Sequence, residues 1–236
     1  MKMIEVQNLT KDYGNHRGIF DLSFTVDQGE VVGFLGSNGA GKTTTIRHLM
    51  GFIHPQQGIS KIFDMDTFSA AKQIQSKVGY LPGEISFLND RMTGNEFIRF
   101  MMETKENVSA EQVRHLIDYF ELDTRIKIKK MSKGTKQKLG LVVAFMHDPA
   151  VLILDEPTSG LDLHHMKEVA GELLTIQDLG KTSLVITHDY ELIASCCTHV
   201  LHLEHGKVQE QYVLDAEGLQ RLKDFFIELS PANKSQ

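Results

Sequence analysis

Gly36-Ser37-Asn38-Gly39-Ala40-Gly41-Lys42-Thr43-Thr44 follows the apolar run Val31, Val32, Phe34, Leu35 and leads into Thr44 to Met50, which has the character of a helix ended by Gly51. From Gly36 to Thr43 the stretch fits G-x-x-x-x-G-K-[ST], a phosphate-binding loop. A buried strand that enters a helix through a glycine turn aims several backbone N–H groups at one spot, where the helix dipole also favours an anion. Gly36, Gly39 and Gly41 let the backbone wrap closely around a phosphate, with Ser37, Asn38 and Ala40 between them. Lys42 is placed to reach β- and γ-phosphates, and the Thr43 hydroxyl to ligate Mg²⁺. The fold expected is therefore α/β, built on a phosphate-loop NTPase core with a mainly parallel sheet.

At 236 residues the chain has room for one large core and a satellite lobe. Hydrophobic residues are 41% and charged residues 24%, as in folded globular proteins. The net charge of −6 gives no bulk attraction to nucleic acid or anionic lipid, so no nucleic-acid partner is expected. The two cysteines, Cys196 and Cys197, are adjacent, an arrangement poorly suited to a structural disulfide and in keeping with a reducing compartment. No segment approaches the ~18 uncharged apolar residues of a membrane span, and the start Met1-Lys2-Met3-Ile4-Glu5 lacks a signal core. If the chain works at a membrane, another polypeptide must supply the spanning helices.

Upstream of the loop, Ile4, Val6 and Leu9 mark a short strand, and Leu22, Phe24 and Val26 alternate as a half-buried one. Between them, Tyr13 is either an edge packing residue or a flat platform for a nucleotide base. Downstream, Ile59 to Phe63 and Val78 to Leu81 are expected as strands, and Ala70 to Lys77 as a helix. From about Ser86 to Met146 the patterns are helical, with capping boxes at Thr93 to Glu96 and Ser109 to Gln112. This predicts a helical insertion, 86–146, in an ATP-binding core made of 1–85 and 147–213, the first part carrying an antiparallel β subdomain; 214–236 is a last helix and tail. The lysines 127, 129, 130, 133, 136 and 138 are expected mostly on a solvated face. Ser132 is placed as an N-cap, with Gly134 in the first turn, which makes a second helix mouth for phosphate.

Val151-Leu152-Ile153-Leu154-Asp155-Glu156 is an apolar strand ending in two carboxylates. In a parallel sheet, ligands gather at the carboxyl ends of strands, so this pair should stand beside the phosphate loop. Asp155 suits a metal-holding role and Glu156 the polarising of an attacking water. Ser183 to Thr187 is the next buried strand, and by the same logic His188 after it should look at the γ-phosphate. The remaining histidines, including His164, His165, His199, His202 and His205, have no partners at ligand spacing, and no zinc site is expected.

This order of motifs resembles the nucleotide-binding subunit of ABC transporters over about Ile4 to Tyr212, most closely those of two-gene exporters of the ABC-2 kind. Tyr13 falls at that family's base-stacking position, Gly36 to Thr44 at Walker A, and Val151 to Glu156 at Walker B. Ser159-Gly160-Leu161-Asp162 matches the D-loop and His188 the switch histidine. Two positions depart. Met131-Ser132-Lys133-Gly134-Thr135 stands where the signature is Leu-Ser-Gly-Gly-Gln, and Gly83 stands at the glutamine that ligates Mg²⁺. There Glu84 would substitute with a one-residue shift, the alternative being an extra water on the metal.

The resemblance implies ATP and Mg²⁺ as cofactors and ATPase activity. It also implies a homodimer, or a heterodimer with a related ATPase, clamped head to tail around ATP. A separate membrane permease would hold the chain on the cytoplasmic face. The rival classes are a soluble ABC ATPase acting on nucleic acid or ribosomes and a slow regulatory or immunity ATPase.

Overall fold

A computed structural model describes residues 1–85 and 87–229, the side chains of the last two excepted. Ser86, where the helical insertion was expected to begin, and the tail from Ser230 lie outside them.

In chain order the elements are β1 (Lys2–Asp12), β2 (Gly18–Asp27), β3 (Val31–Gly36), α1 (Lys42–Leu49), β4 (Gln57–Ile62), β5 (Met65–Asp66), α2 (Ala71–Lys77) and β6 (Val78–Leu81). Then come α3 (Gly94–Met102), α4 (Ala110–Tyr119), a 3-10 turn at Ile128–Lys130, α5 (Lys133–Phe145), β7 (Val151–Asp155) and α6 (Leu163–Asp178). The last are β8 (Thr182–Ile186), α7 (Tyr190–Cys196), β9 (His199–Glu204), β10 (Lys207–Val213) and α8 (Ala216–Leu229).

The strands form two sheets. One has the order β2-β1-β4-β5 and is antiparallel throughout; the other has the order β10-β9-β3-β8-β7-β6. From β9 to β6 every pairing in the second sheet is parallel, and β10 adds an antiparallel edge. The α/β core and the antiparallel β subdomain expected from sequence are both present.

Because a strand presents alternate residues to opposite faces, a strand covered on both sides must be apolar throughout. In β7, Leu152 and Leu154 join one core and Val151 and Ile153 the other. The first core lies against the helices of 94–145, where Phe120 and Phe145 stack at 6.3 Å. The second fills the space between the two sheets, where Phe24 meets Phe34 at 5.9 Å. The phosphate-loop strand is likewise covered on both faces: Val32 and Phe34 join the second core, Val31 the first, and Leu35 packs with Ile193 and Leu222.

The helices begin where their caps predict. Thr93 caps α3 in a reciprocal box with Glu96; Ser109 caps α4, its hydroxyl accepting from the Glu111 and Gln112 amides; Ser132 caps α5. Three elements and part of the lysine run differ from expectation. The strand begun at Ile4 is longer, Lys2–Asp12, because a bulge at Asn8 (φ 48°) keeps it paired. There the Asn8 amide donates to Ser23 Oγ at 2.8 Å. Lys11 and Asp12 therefore lie within the strand. The two-residue β5 is too short for a periodic pattern to register, and the seven-residue α7 is a further helix not expected from sequence. Of the lysine run, 127, 129, 130 and 133 are solvated as expected, but Lys136 pairs with Asp90 at 3.2 Å and Lys138 meets His165.

Candidate functional site

The phosphate loop forms where β3 enters α1. Gly36 (φ 152°) and Gly41 (φ 110°) take backbone conformations that side chains resist, and a Cβ on Gly36 would come within 2.4 Å of the Leu203 carbonyl oxygen. Gly41 caps α1 without a side chain, and the first turn carries no acid. The helix mouth is therefore open to an anion. The Lys42 ammonium folds back onto the carbonyls of Gly36 and Ser37, its own loop. Ser37, Asn38, Gly39 and Thr43 are exposed, Thr44 is half-buried and Ala40 is buried.

β8 lies between β3 and β7, so the ends of all three strands open on the same edge. Asp155 closes β7. Glu156 follows in a left-handed conformation (φ 52°), its amide donating to the Ile186 carbonyl at 2.7 Å. His188, just beyond β8, brings Nε2 to 3.6 Å from Glu156 Oε1.

These groups feel one another. Burial raises the Asp155 carboxyl above its usual range and the charge of Glu156 raises it further, against the Gly83 amide, Lys42 and His188. Burial likewise raises Glu156, opposed first by the His188 amide and then by Lys42. Lys42 is lowered by burial, in part offset by Glu156 and then Asp155, and His188 is lowered by burial and then by Lys42. Lys42, Asp155, Glu156 and His188 thus form one electrostatic unit.

Among the described residues no group of three or more His, Cys, Asp or Glu side chains could enclose a metal ion. The oxygen donors Asp155 and Thr43 nonetheless suit Mg²⁺, which takes one or two protein ligands and completes its shell with phosphate and water. A carboxyl whose charge is disfavoured by burial and a second acid is one that a cation would relieve. The residues fit the ion.

At the departure from the family glutamine, the Gly83 backbone amide lies near the Asp155 carboxylate and opposes the rise of its carboxyl. A Cβ there would lie 3.0 Å from Asp155 Cγ and Oδ2. Glu84 is exposed, and among the described residues no hydrogen bond or ion pair joins it to Asp155. Tyr13 is 51% exposed with Lys11 Nζ 5.9 Å from its ring centre, and no described contact links it to the phosphate loop.

The second helix mouth is separate. Ser132 Oγ accepts from the Thr135 amide at 3.1 Å and lies 2.8 Å from Thr135 Oγ1, so the departing threonine is tied to the cap. Gly134 packs so closely that a Cβ would come within 2.5 Å of the Gly160 carbonyl oxygen. Lys133 runs its methylenes past Gly160, and its charge is among those lowering Glu156. Two contributors escaped sequence reasoning: the Gly83 amide and the side chain of Gln137, buried on α5. The Gln137 signal was a polar residue on a face continued by Gly140, Leu141 and Ala144.

A family described as ABC transporter matches residues 19–159. The chain is 33% identical over 237 residues to the bacitracin transport ATP-binding protein BcrA of Bacillus licheniformis, covering 99% of this chain and 77% of that protein. It is 35% identical over 220 residues to the SkfA peptide export ATP-binding protein SkfE of Bacillus subtilis, covering 90% of each. A solved ATP-binding subunit of an ABC transporter superposes with a TM-score of 0.85 at 29% identity, over 96% of this chain and 99% of that one. With its phosphate loop, acidic strand end and second helix mouth set in that same fold, the chain belongs to the ABC transporter ATP-binding family.

Proposed function

We propose that this protein is the ATP-hydrolysing subunit of an exporter, acting with a separate membrane permease and closing as a head-to-tail dimer around ATP. The observation that carries the reading is that one chain holds two helix mouths, on α1 and α5, far apart in sequence. The α1 mouth stands with Lys42, Asp155, Glu156 and His188, whereas the α5 mouth, with Ser132 and Gly134, abuts Gly160. Two copies related by a two-fold axis would bring each α5 mouth to the other's phosphate loop.

In this reading the loop amides and Lys42 bind the phosphates, and Tyr13 offers its exposed ring to the base. Asp155 and Thr43 would hold Mg²⁺, which would supply neutralisation of phosphate charge. Glu156 takes a proton from the attacking water, and His188, 3.6 Å from it, orients that water or the γ-phosphate. Ser132 and Gly134 of the opposite copy complete the phosphate shell. No described helix is long and apolar enough to cross a membrane, which fits a subunit held at the cytoplasmic face by its permease. The transport and export roles carried in the names of BcrA and SkfE support the exporter assignment.

Glu156→Gln tests the reading. It should bind ATP as the parent does, lose turnover, and accumulate as a dimer when ATP is added, measured by light scattering on a sizing column. A variant that hydrolyses at the parent rate removes Glu156 from its role; one that stays monomeric with ATP and with the permease present ends the dimer.

A further inference from the structure

Gln137 is 1% exposed, on the second turn of α5. Its Nε2 donates to the backbone carbonyl of Glu156 at 2.9 Å and to that of Pro157 at 3.0 Å. Both partners are carbonyl oxygens, so only the amide nitrogen can serve them, and both of its hydrogens are used. The Glu156 carbonyl also receives the Ser159 amide at 3.1 Å, while the Glu156 amide is spent on Ile186. A non-glycine residue in the left-handed region persists only where its surroundings hold it. Among the described residues Gln137 is the one side chain that hydrogen-bonds the Glu156 backbone, and it comes from a different element.

The element is the informative part. Ser132 and Gln137 are five positions apart, about 7 Å along a helix. Over that distance α5 is a stiff rod, with Gly134 against Gly160 at one end and Gln137 under Glu156 at the other. We infer that Gln137 is a positioning residue which fixes the backbone of the general base and ties it to the α5 mouth. A shift of that mouth on the opposite copy's ATP is thereby passed to Glu156 of its own site. This transmission rests on the dimer proposed above; the positioning of Glu156 does not.

Gln137→Met keeps the volume and removes both donors. The expected result is a fall in kcat of about tenfold to a hundredfold, as for a reacting group displaced by an ångström or so, with ATP affinity unchanged within about twofold. Sigmoidal dependence of rate on ATP in the parent should become hyperbolic in the variant. A merely structural role would lower the melting temperature and folded fraction without separating kcat from affinity. Should Gln137→Met fail to fold, Gln137→Asn, which retains a donor one methylene short, should give a smaller fall with the same separation.

A folded variant with parent kcat, or one whose affinity falls in step with kcat, overturns the inference. Loss of kcat with the sigmoid retained overturns the transmission and leaves the positioning. If Glu156→Gln stays monomeric in ATP, the dimer fails by itself, and the kcat separation still decides whether Gln137 positions the base.

Discussion

At the scale of single residues, the most telling position is one where this chain lacks a side chain. Gly83 was visible in the sequence as a departure, and the sequence offered Glu84 as its substitute. In the structure the Gly83 backbone lies against the Asp155 carboxylate, and Glu84 is exposed. The physical reason is space: at 3.0 Å a Cβ would press on the carboxylate, so the close approach depends on glycine. Gly83→Ala should therefore push Asp155 aside by a few tenths of an ångström. Steady-state kinetics should show kcat reduced about tenfold, since misplaced groups near the reacting atoms are felt strongly. Thermal unfolding should shift by less than about 1 kcal/mol, as befits a single added methyl beside a movable carboxyl. Unchanged kinetics would mean that the loop yields instead.

At the scale of elements, capping chemistry was legible because it is local. Thr93 Oγ1 accepts from the Glu96 amide at 3.3 Å and Glu96 Oε2 accepts from the Thr93 amide at 2.7 Å, the reciprocal pair that the four-residue spacing encodes. Removing the hydroxyl with Thr93→Ala should cost about 1 kcal/mol. Denaturant unfolding would read that loss, while ATP affinity stays at the parent value because α3 carries none of the phosphate ligands. The bulged β1 was only half legible. Its continuation past Asn8 depends on the Ser23 hydroxyl and on Asp21 Oδ1, 2.7 Å from Asn8 Nδ2, groups that only pairing with β2 delivers. The seven-residue α7, by contrast, has a local cap: the Asp189 carboxylate accepts from the Leu192 amide at 3.2 Å.

At the scale of the whole molecule, burial of two histidines makes folding sensitive to acid. His48, buried in the last turn of the phosphate-loop helix, is lowered to about 4 by burial and then by the charge of Lys11, with the Ile53 carbonyl opposing. His147, at the end of α5, is lowered to about 4 by burial and then by Lys105, with the Val78 carbonyl opposing. An unfolded chain protonates histidine near pH 6.5. Between about 6.5 and 4 the unfolded state thus binds more protons than the folded one, and stability present above pH 6.5 is lost as pH falls through that window. Each histidine contributes up to about 1.4 kcal/mol per pH unit. Asp155 and Glu156, whose carboxyls are raised, act in the opposite sense near the acid end. Denaturant midpoints measured from pH 7 to 4.5 should fall, and His147→Gln should flatten the slope; an equal slope in the variant would contradict the assignment.

The sequence by itself determined everything that depends on neighbours along the chain: the glycine turn of the phosphate loop, the apolar strands, the caps of α3, α4 and α5, and the acids placed at a strand end. Only the tertiary structure decided which distant groups touch. That β8 lies between β3 and β7, that Gly83 lies close against Asp155, and that Gln137 reaches under Glu156 follow from sheet order and helix docking. Those are set by how two cores fill space around one sheet. Local spacing carries no record of such long-range packing, because a polar side chain on a helix face is written the same way whether it meets water or a backbone carbonyl.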